Sequence, residues 1–492
     1  MRRSRIRYAA VAALVVLVAS ACGQKSGVAL TGATGLEGRQ VVIDPETGQT
    51  VDAETGEVVD PSTGEVIDGG TELGGSSDTV LGDTTSSSSS SDSSSGEDDT
   101  GTGTEEGDEP EPGEPTGGDA TGVTDEVIKI GVHAPITGAA PVPSDSANKG
   151  AVVYWRWLEE NGEEVLGRRV EVVIKNDQYN PSAAVSACKE MVEKDKVFLL
   201  SGAAGTDQIQ ACARYAASVG VPYISSGVTE IGVTGLPNYF AVSMTYPDQG
   251  PLMADFVIDE LGGGDEKNAI VYFNTQNFLD GKEAYVEAME ERGVEVYQRA
   301  VSKTAGASDA QAVATDLAAQ GFDNVNVIVS PVWFLQLLQA TRSQNYAPQW
   351  TAPGIQMTFD AVATVGCRNG SLDGAKMFAP FPAWVDRNKF DPEFAKAVDA
   401  IFPEERGGDD FMWLGWSGSK GIHGMFNLVG ENLTRERFVY FLERAEGLSN
   451  GIAPELNFTP ENHFGSTAVH VSEARCGEDQ RWHTIMTHKS DF

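Results

Sequence analysis

Two short loops rich in small residues could hold a small polar ligand. The first, SGAAG, follows the apolar run that starts at Phe198 and precedes a helical pattern that begins at Thr206. The second, SSGVT, follows the next apolar run, Val221 to Ile224. Strand, loop, helix, strand, loop is the βαβ unit of a parallel sheet, and open α/β sheets bind ligands at the carboxyl ends of their strands. We therefore expect both loops to lie at a binding site for a small molecule.

No residue pattern typical of catalysis is present. The segment GWSGS departs from the GxSxG nucleophile elbow because Ser419 stands where the second glycine belongs. The six histidines show no HExxH spacing, and the sequence has no CxxC pair and no Walker loop. We expect a protein that is not an enzyme and holds no metal or cofactor. An amidase or esterase built on the same fold is the alternative, which turnover of a bound ligand would establish.

The first 22 residues carry the three regions of an export signal. Four arginines precede an apolar run from Tyr8 to Ala19, and small residues follow. The segment ASAC, which ends at Cys22, resembles a bacterial lipoprotein signal, although leucine is usual where Ala19 stands. We expect a lipid anchor on Cys22 that holds the protein at the extracytoplasmic face of the cell membrane. The alternative is an ordinary secretory signal in which the cysteine is coincidental.

The other four cysteines would lie in a compartment that permits disulfides. Three pairings are possible. Cys188 and Cys212 fall in consecutive predicted helices that flank one strand, which favours their pairing. A bond between Cys367 and Cys476 then follows by elimination. Chain entropy would make the short loop worth about 3–4 kcal/mol and the long loop about 5 kcal/mol.

Much of the net charge of −37 precedes the folded region. Residues 23–125 contain 24 acidic and two basic residues, so we expect a disordered tether. Its octads DPETGQTV, DAETGEVV and DPSTGEVI begin at Asp44, Asp52 and Asp60 and allow marginal hairpins, with calcium binding as an alternative. An acidic exported protein is a poor candidate for binding nucleic acid, which favours basic grooves.

From residue 126 onward, predicted strands alternate with predicted helices, which indicates a doubly wound parallel sheet. A second alternating set with its own core begins after Tyr246 and Pro247. The fold class is therefore α/β, with two lobes of comparable size and a ligand cleft between them.

Residues 126 to about 485 resemble the branched-chain amino acid type of periplasmic binding protein, the substrate-receiving component of an ABC importer. The resemblance lies in VIKIGVHAPITG, in ND followed by NP at residues 176–181, in GVPYISSGVT and in NFTPENHFGSTAVHV. The family implies a hinge of several chain crossings about which the lobes close on a ligand. Those crossings would fall near Met244–Pro247, near Phe378–Pro382 and beyond Gly447. Lobe 1 would then comprise 126–246 and 380–447, and lobe 2 would comprise 247–379 with the closing segment 448–492.

In this family the loops after the third and fourth strands hold the carboxylate of the ligand. Carried over, these positions are Thr206, Gly227, Val228 and Thr229. Thr206 is predicted to be the N-cap of a helix whose exposed N–H groups attract an anion. The alternative is that Thr206 only caps its helix and that Thr229 is a surface turn residue.

The family also places aromatic residues in the second lobe, and Phe278 and Trp333 are the nearest matches. Trp333 either walls the pocket or packs beneath its own helix. Amino-acid-binding members have an acid near Gly354 that pairs with the ammonium group of the ligand. A buried ammonium without a counter-charge is costly, so Gly354 argues against a standard branched-chain amino acid.

These features together predict a solute-binding lipoprotein that captures a small polar, amino-acid-like or carboxylate-bearing molecule and delivers it to an ABC permease. The alternative is a sensor of the same fold that signals to a membrane partner. A transporter operon beside the gene would favour import, and a kinase gene would favour sensing.

Overall fold

The computed structural model describes residues 41–43, 50–52, 113–138, 142–202, 204–226, 232–369 and 371–489; at 41–43, 50–52, 277, 355, 356 and 369 it describes the backbone alone. The chain divides into two compact units, residues 1–104 and 105–492. In the first unit, β1 (Val41–Ile43) pairs antiparallel with β2 (Thr50–Asp52). The first octad therefore joins two strands, as its turn and strand residues predict. The export signal, Cys22 and most of the tether lie outside the described residues.

The first lobe of the second unit is a five-stranded parallel sheet of β3 (Val127–Ala134), β4 (Arg169–Asn176), β5 (Leu199–Gly202), β6 (Tyr223–Ser225) and β7 (Tyr239–Ala241). The strands lie in the order β4-β3-β5-β6-β7. This is the 2-1-3-4-5 arrangement, in which the chain reverses its direction of winding between the first and third strands. The reversal therefore falls between β3 and β5.

The second lobe is a sheet of β8 (Asn268–Phe273), β9 (Val296–Val301), β10 (Asn324–Ile328), β11 (Gln349–Pro353), β12 (Lys376–Ala379), β13 (Ala468–Arg475) and β14 (Arg481–Lys489). The parallel strands β9-β8-β10-β11-β12 repeat the arrangement of the first lobe, with the reversal between β8 and β10. The last two strands are antiparallel additions beside β12. The predicted α/β class with two doubly wound lobes is confirmed, and the antiparallel pair is an extension that the sequence pattern did not reveal.

Both faces of each sheet are covered, because each lobe has two separate buried clusters. The largest includes Trp413 and Phe426 in lobe 1, and Trp350 is fully buried in lobe 2. The helices are α1 (Ser144–Glu160), α2 (Pro181–Glu190), α3 (Thr206–Ser218), α4 (Tyr246–Asp259), α5 (Gln276–Glu291), α6 (Ala307–Gln320), α7 (Pro331–Ser343), α8 (Asp360–Asn369), α9 (Arg387–Phe390), α10 (Pro392–Ile401), α11 (Asp410–Val429) and α12 (Arg435–Leu442).

The folded region begins earlier than residue 126, the boundary that composition predicts. Asp119 forms an ion pair with Arg435 of α12, and the backbone N–H of Arg435 donates to the Asp119 carbonyl at 2.9 Å. Gly122 lies against the backbone of residues 196–198. Residues 113–125 therefore belong to lobe 1, because specific contacts compensate for their low hydrophobicity.

The segment after Gly447 also packs differently from the predicted boundary. Ile452, Leu456 and Phe458 are buried in the core of lobe 1. Only at Ala468, where β13 begins, does the chain join the sheet of lobe 2. The third crossing therefore lies about twenty residues later than expected, because an irregular segment carries no periodicity that assigns it to a lobe.

Both predicted disulfides are confirmed. Cys188 of α2 is bonded to Cys212 of α3, and Cys367 of α8 is bonded to Cys476, which follows β13. The first bond joins the two helices that pack beside β5 and is fully buried. In the part of the chain that the structure describes, no helix has the length and hydrophobicity that a membrane crossing requires.

Candidate functional site

The candidate site is assigned to the two winding reversals, one in each lobe. Parallel sheets with this strand order bind ligands at the carboxyl ends of the strands that flank the reversal. In lobe 1 the strands β3 and β5 lead to His133 and to the loop before Thr206. In lobe 2 the strands β8 and β10 lead to Phe278 and Trp333.

The amino terminus of α3 is not capped by any side chain. Its N-cap is Gly205, with φ of 83°, and Thr206 is the first helical residue, so the prediction that Thr206 is the N-cap is wrong. The first turn of a helix has N–H groups without helical partners and a partial positive charge. The Thr206 side chain is half-buried and makes no hydrogen bond to the described residues. The arrangement can therefore donate several hydrogen bonds to an anion.

Two residues that sequence reasoning missed flank Gly205. The Gln208 amide oxygen lies where a Cβ atom on Gly205 would be, and Tyr179 Cε2 lies 3.2 Å from the same point. Gln208 is 3% exposed, whereas Tyr179 is 37% exposed. Neither the Gln208 amide nor the Tyr179 hydroxyl has a hydrogen-bond partner among the described residues. An exposed aromatic side chain on a loop is a signal that could have found Tyr179.

A buried polar network supports the turn that carries Tyr179. His133 Nδ1 lies 2.7 Å from Asp177 Oδ2, and His133 Nε2 lies 2.5 Å from the Tyr223 hydroxyl. The second carboxylate oxygen of Asp177 accepts from the Tyr179 backbone N–H at 2.9 Å. A Cβ atom on Gly202 would collide with the histidine and the tyrosine. The network therefore fixes the backbone from which Tyr179 projects.

The aromatic residues of lobe 2 form a continuous array. The ring centroids of Tyr246 and Phe278 are 5.6 Å apart, those of Phe278 and Phe273 are 6.3 Å apart, and those of Phe273 and Trp333 are 5.7 Å apart. Phe278 is partly buried. Trp333 is 2% exposed, and its indole N–H has no hydrogen-bond partner among the described residues. Trp333 thus lies in the core of lobe 2, at the inner end of the array.

Gly354 faces a tyrosine. Its backbone has φ of 100° and ψ of 150°, a region that only glycine enters readily. A Cβ atom there would lie 2.9 Å from the Tyr246 hydroxyl oxygen. Burial, and then the nearby phenol of Tyr179, raise the pKa of Tyr246. A neutral hydroxyl therefore lies at the point where an acidic side chain at position 354 would extend.

Two aspartates form a contact between the lobes. The Asp360 backbone N–H, at the start of α8 in lobe 2, donates to Asp410 Oδ2, at the start of α11 in lobe 1, at 3.1 Å. The rings of Phe359 and Phe411 lie 4.6 Å apart beside them. Burial, and then the neighbouring Asp360 charge, raise the pKa of Asp410 well above its ordinary range.

The sequence profile of a family described as periplasmic binding protein matches residues 127–480. The chain belongs to this family. The match covers more than half of the chain and includes both lobes and the three crossings. It agrees with the resemblance that the sequence segments indicated.

A curated relative of this periplasmic binding protein is named for amino acid binding. A Leu/Ile/Val-binding protein homolog from Brucella melitensis is 26% identical over 201 residues, which are 40% of this chain and 53% of that protein. The matched stretch thus spans about half the length of that relative.

Solved structures show the same fold at low identity. A leucine-binding protein from Thermotoga maritima is 16% identical with a TM-score of 0.60, covering 74% of this chain and 99% of that one. A fatty acid ABC transporter substrate-binding protein from Thermomonospora curvata is 18% identical with a TM-score of 0.62, covering 76% and 95%. A solute-binding protein of an ABC transporter from R. palustris, in complex with benzoate, is 18% identical with a TM-score of 0.59, covering 74% and 96%.

The structure describes some of the predicted ligand residues, and others lie outside the described residues. Thr206 lies at the first reversal, and Phe278 lies at the second. Gly227, Val228 and Thr229 fall in 227–231, outside the described residues. Their roles remain predictions that follow from the family.

Other features of this periplasmic binding protein do not form a site. Among the described residues, His133, Cys188 and Cys212 are close enough to share a metal ion, but the disulfide occupies both sulfurs. A surface depression of about 490 Å³ is lined by Glu266, Asp323 and Gln349, which lie at or just before the amino ends of lobe 2 strands. It is therefore on the edge of the sheet opposite to the carboxyl ends that flank the cleft.

Proposed function

We propose that this periplasmic binding protein is a lipid-anchored receptor at the extracytoplasmic face of the membrane. It captures a small carboxylate-bearing molecule and delivers it to an ABC importer. The observation that carries this proposal is the uncapped amino terminus of α3, which adjoins the ring of Tyr179. Helix amino termini bind anions because their free N–H groups and their dipole both favour negative charge.

In lobe 1 the carboxylate accepts hydrogen bonds from the first turn of α3 and from the Thr206 hydroxyl. Gly227, Val228 and Thr229, on the loop after β6, complete this half of the site with backbone N–H groups and a hydroxyl. The carboxyl ends of β5 and β6, from which these two loops start, lie side by side because the strands are parallel neighbours in the sheet. Two adjacent loops can therefore hold two oxygen atoms of one ligand group.

In lobe 2 the body of the ligand contacts Phe278 and Tyr246, and Trp333 supports this wall from within. The lobes close about crossings near Met244–Pro247, near Phe378–Pro382 and before Ala468. Closure about such crossings removes water from the ligand and strengthens each hydrogen bond to it.

The anchor and the tether place this receptor beside its permease. Cys22 carries the lipid, and the acidic segment that follows it provides reach. As a flexible coil, about 90 residues span roughly 50 Å on average, and charge repulsion extends this distance. The Thermomonospora curvata protein is named as an ABC transporter substrate-binding protein, and this name supports the assignment to an ABC importer.

A thermal-shift screen of amino acids, short carboxylates, aromatic acids and their amides tests ligand capture. We expect at least one carboxylate to raise the melting temperature and its amide to have a smaller effect. Thr229→Ala should weaken binding without changing the melting temperature of the free protein. Stabilisation by neutral sugars or amides alone would contradict the proposal.

Membrane fractionation of cells tests the anchor separately. Wild-type protein should sediment with membranes, and Cys22→Ala should move it to the soluble fraction or stop its processing. Cys22→Ser is the matched control, since it retains the size of the side chain and lacks the sulfur that receives the lipid. Membrane retention of both variants after cleavage of their signal segment would contradict lipid anchoring.

A further inference from the structure

The first residues of two helices meet at the boundary between the lobes. The helix α8, which begins at Asp360, is bonded to lobe 2 through the Cys367–Cys476 disulfide. The helix α11, which begins at Asp410, belongs to lobe 1, because Trp413 lies in the core of that lobe. The Asp360 backbone N–H donates to Asp410 Oδ2 at 3.1 Å. Relative movement of the lobes at this point therefore breaks or lengthens this hydrogen bond.

An aromatic contact lies beside this hydrogen bond. The ring centroids of Phe359 and Phe411, which are the chain neighbours of the two aspartates, are 4.6 Å apart. Phe359 precedes α8 of lobe 2, yet it is partly buried against the core of lobe 1. We name these four residues the interlobe latch: Phe359, Asp360, Asp410 and Phe411. The latch thus combines one apolar and one polar contact between the lobes.

The latch contains a hydrogen-bond acceptor that lacks a donor. Asp360 Oδ2 pairs with Arg481, but Asp360 Oδ1 is buried and has no hydrogen-bond partner among the described residues. A buried acceptor without a donor is costly. The Asp410 carboxyl, which lies against the Asp360 backbone, gains an O–H donor when it is protonated. A proton on Asp410 would therefore supply the missing donor.

The charges around the two carboxyls favour the uptake of this proton. Arg481 of β14 pairs with Asp360, and Arg387 of α9 donates to the Trp384 carbonyl at 3.0 Å, so both arginines have other acceptors. Burial, and then the charge of Asp360, raise the pKa of Asp410 well above its ordinary range. Two adjacent carboxyls that resist joint ionisation hold one proton between them. The charged groups that act on one or both aspartates are Asp360, Arg387, Asp409, Asp410, Asp479, Arg481 and His483.

We propose that Asp410 and Asp360 share one proton across the lobe boundary and that this proton controls the movement of the lobes. With the proton present, Asp410 donates to Asp360 Oδ1 and accepts from the Asp360 backbone N–H, so the latch is closed. As pH rises, the proton passes to solvent, and the two negative carboxylates repel each other. The latch then opens, and the lobes adopt a wider range of separations. Ligand affinity becomes dependent on pH through this latch, because affinity follows the population of the binding-competent conformation.

Double electron–electron resonance on the ligand-free protein tests the latch without knowledge of the ligand. One spin label replaces Ser182 of α2 and the other replaces Glu287 of α5, which are exposed positions in different lobes. Attachment through non-natural amino acids leaves the native cysteines unmodified. We expect the distribution of label distances to be at least about 1.5-fold wider at about pH 9 than at about pH 5. An equal width at both pH values would overturn the proton dependence.

Variants of Asp410 identify the carboxyl that is responsible. The amide of Asp410→Asn keeps an oxygen acceptor for the Asp360 backbone N–H and provides a permanent N–H donor for Asp360 Oδ1. We therefore expect a narrow distribution at both pH values in Asp410→Asn and a wide one at both in Asp410→Ala. Asp145 is an exposed partner of Lys149, so Asp145→Asn is the matched control and should respond to pH as the wild type does. Widening of Asp410→Asn equal to that of the wild type, or a narrow distribution in Asp410→Ala, would overturn the role of Asp410.

Discussion

The hydroxyl oxygen of Tyr246 lies 2.9 Å from the position that a Cβ atom on Gly354 would occupy. The two residues come from different parts of lobe 2, since Tyr246 begins α4 and Gly354 follows β11. Their proximity explains why position 354 has no side chain and places a neutral phenol in the cleft. Tyr246 therefore determines the polarity of the lobe 2 side of the site.

Replacing Gly354 should destabilise the folded protein. Gly354→Ala introduces a side chain at φ of 100° and a contact with Tyr246, so we expect the free energy of unfolding to fall by about 1–3 kcal/mol. Gly374→Ala is the control, because its φ is also positive at 78° but its nearest neighbour would be 3.9 Å away. Denaturant titration should show a greater loss for Gly354→Ala. An equal loss in both variants would show that the tyrosine contact contributes nothing.

The strand and helix pattern of both lobes could be predicted from the sequence because buried strands and amphipathic helices leave periodic apolar residues. The start of α3 was misplaced by one residue because a glycine with positive φ, rather than a threonine, occupies the N-cap. Tyr179 and Gln208 could not be found together, because they are distant in sequence and only tertiary folding places both beside Gly205. Low-hydrophobicity residues such as Asp119 join the fold through specific ion pairs, which composition does not reveal.

Removing the Asp177 carboxylate should affect both stability and binding. Asp177→Ala leaves the buried His133 ring and the Tyr179 backbone N–H without their acceptor. Each unmet buried partner costs about 1–3 kcal/mol, so the denaturation midpoint should fall. Ligand affinity should also fall because the turn that carries Tyr179 loses its support. Asp177→Asn, which retains one carbonyl acceptor, should show a smaller effect in both measurements, and equal effects would contradict this role.

Stability should depend on pH through Asp410 and Asp360. Burial is the main cause that raises the pKa of each carboxyl. The charge of Asp360 raises the pKa of Asp410 further. The charge of Arg481 opposes the rise in the pKa of Asp360. In the unfolded chain both groups titrate near the usual aspartate pKa of about 3.9. Between that value and the raised pKa the folded state binds more protons than the unfolded state, so stability falls as pH rises.

Asp410→Asn should weaken this dependence. We expect the urea denaturation midpoints, measured from about pH 4 upward, to decline less steeply with pH in the variant than in the wild type. All other titratable groups are the same in the two proteins and contribute equally to both curves. Asp145 is an exposed residue that pairs with Lys149, so Asp145→Asn serves as the matched control. Identical slopes in wild type and Asp410→Asn would show that this carboxyl keeps an ordinary pKa.

The buried disulfide should stabilise lobe 1. The double variant Cys188→Ala with Cys212→Ala removes a bond with a sequence separation of 24, and we expect a loss of about 3–4 kcal/mol in the free energy of unfolding. The pair Cys367→Ala with Cys476→Ala, with a separation of 109, should cost about 5 kcal/mol. Denaturant titration of both double variants measures the difference, and a greater loss for the shorter loop would contradict the chain-entropy account.

The central claim is that the amino terminus of α3 captures a carboxylate. Calorimetric titration of matched acid and amide pairs, benzoate with benzamide and leucine with leucinamide, measures it most directly. The two members of the first pair have nearly the same shape, so their difference reports the charge. We predict that benzoate binds at least tenfold more tightly than benzamide. Binding of the amides equal to or tighter than that of the acids would contradict the claim.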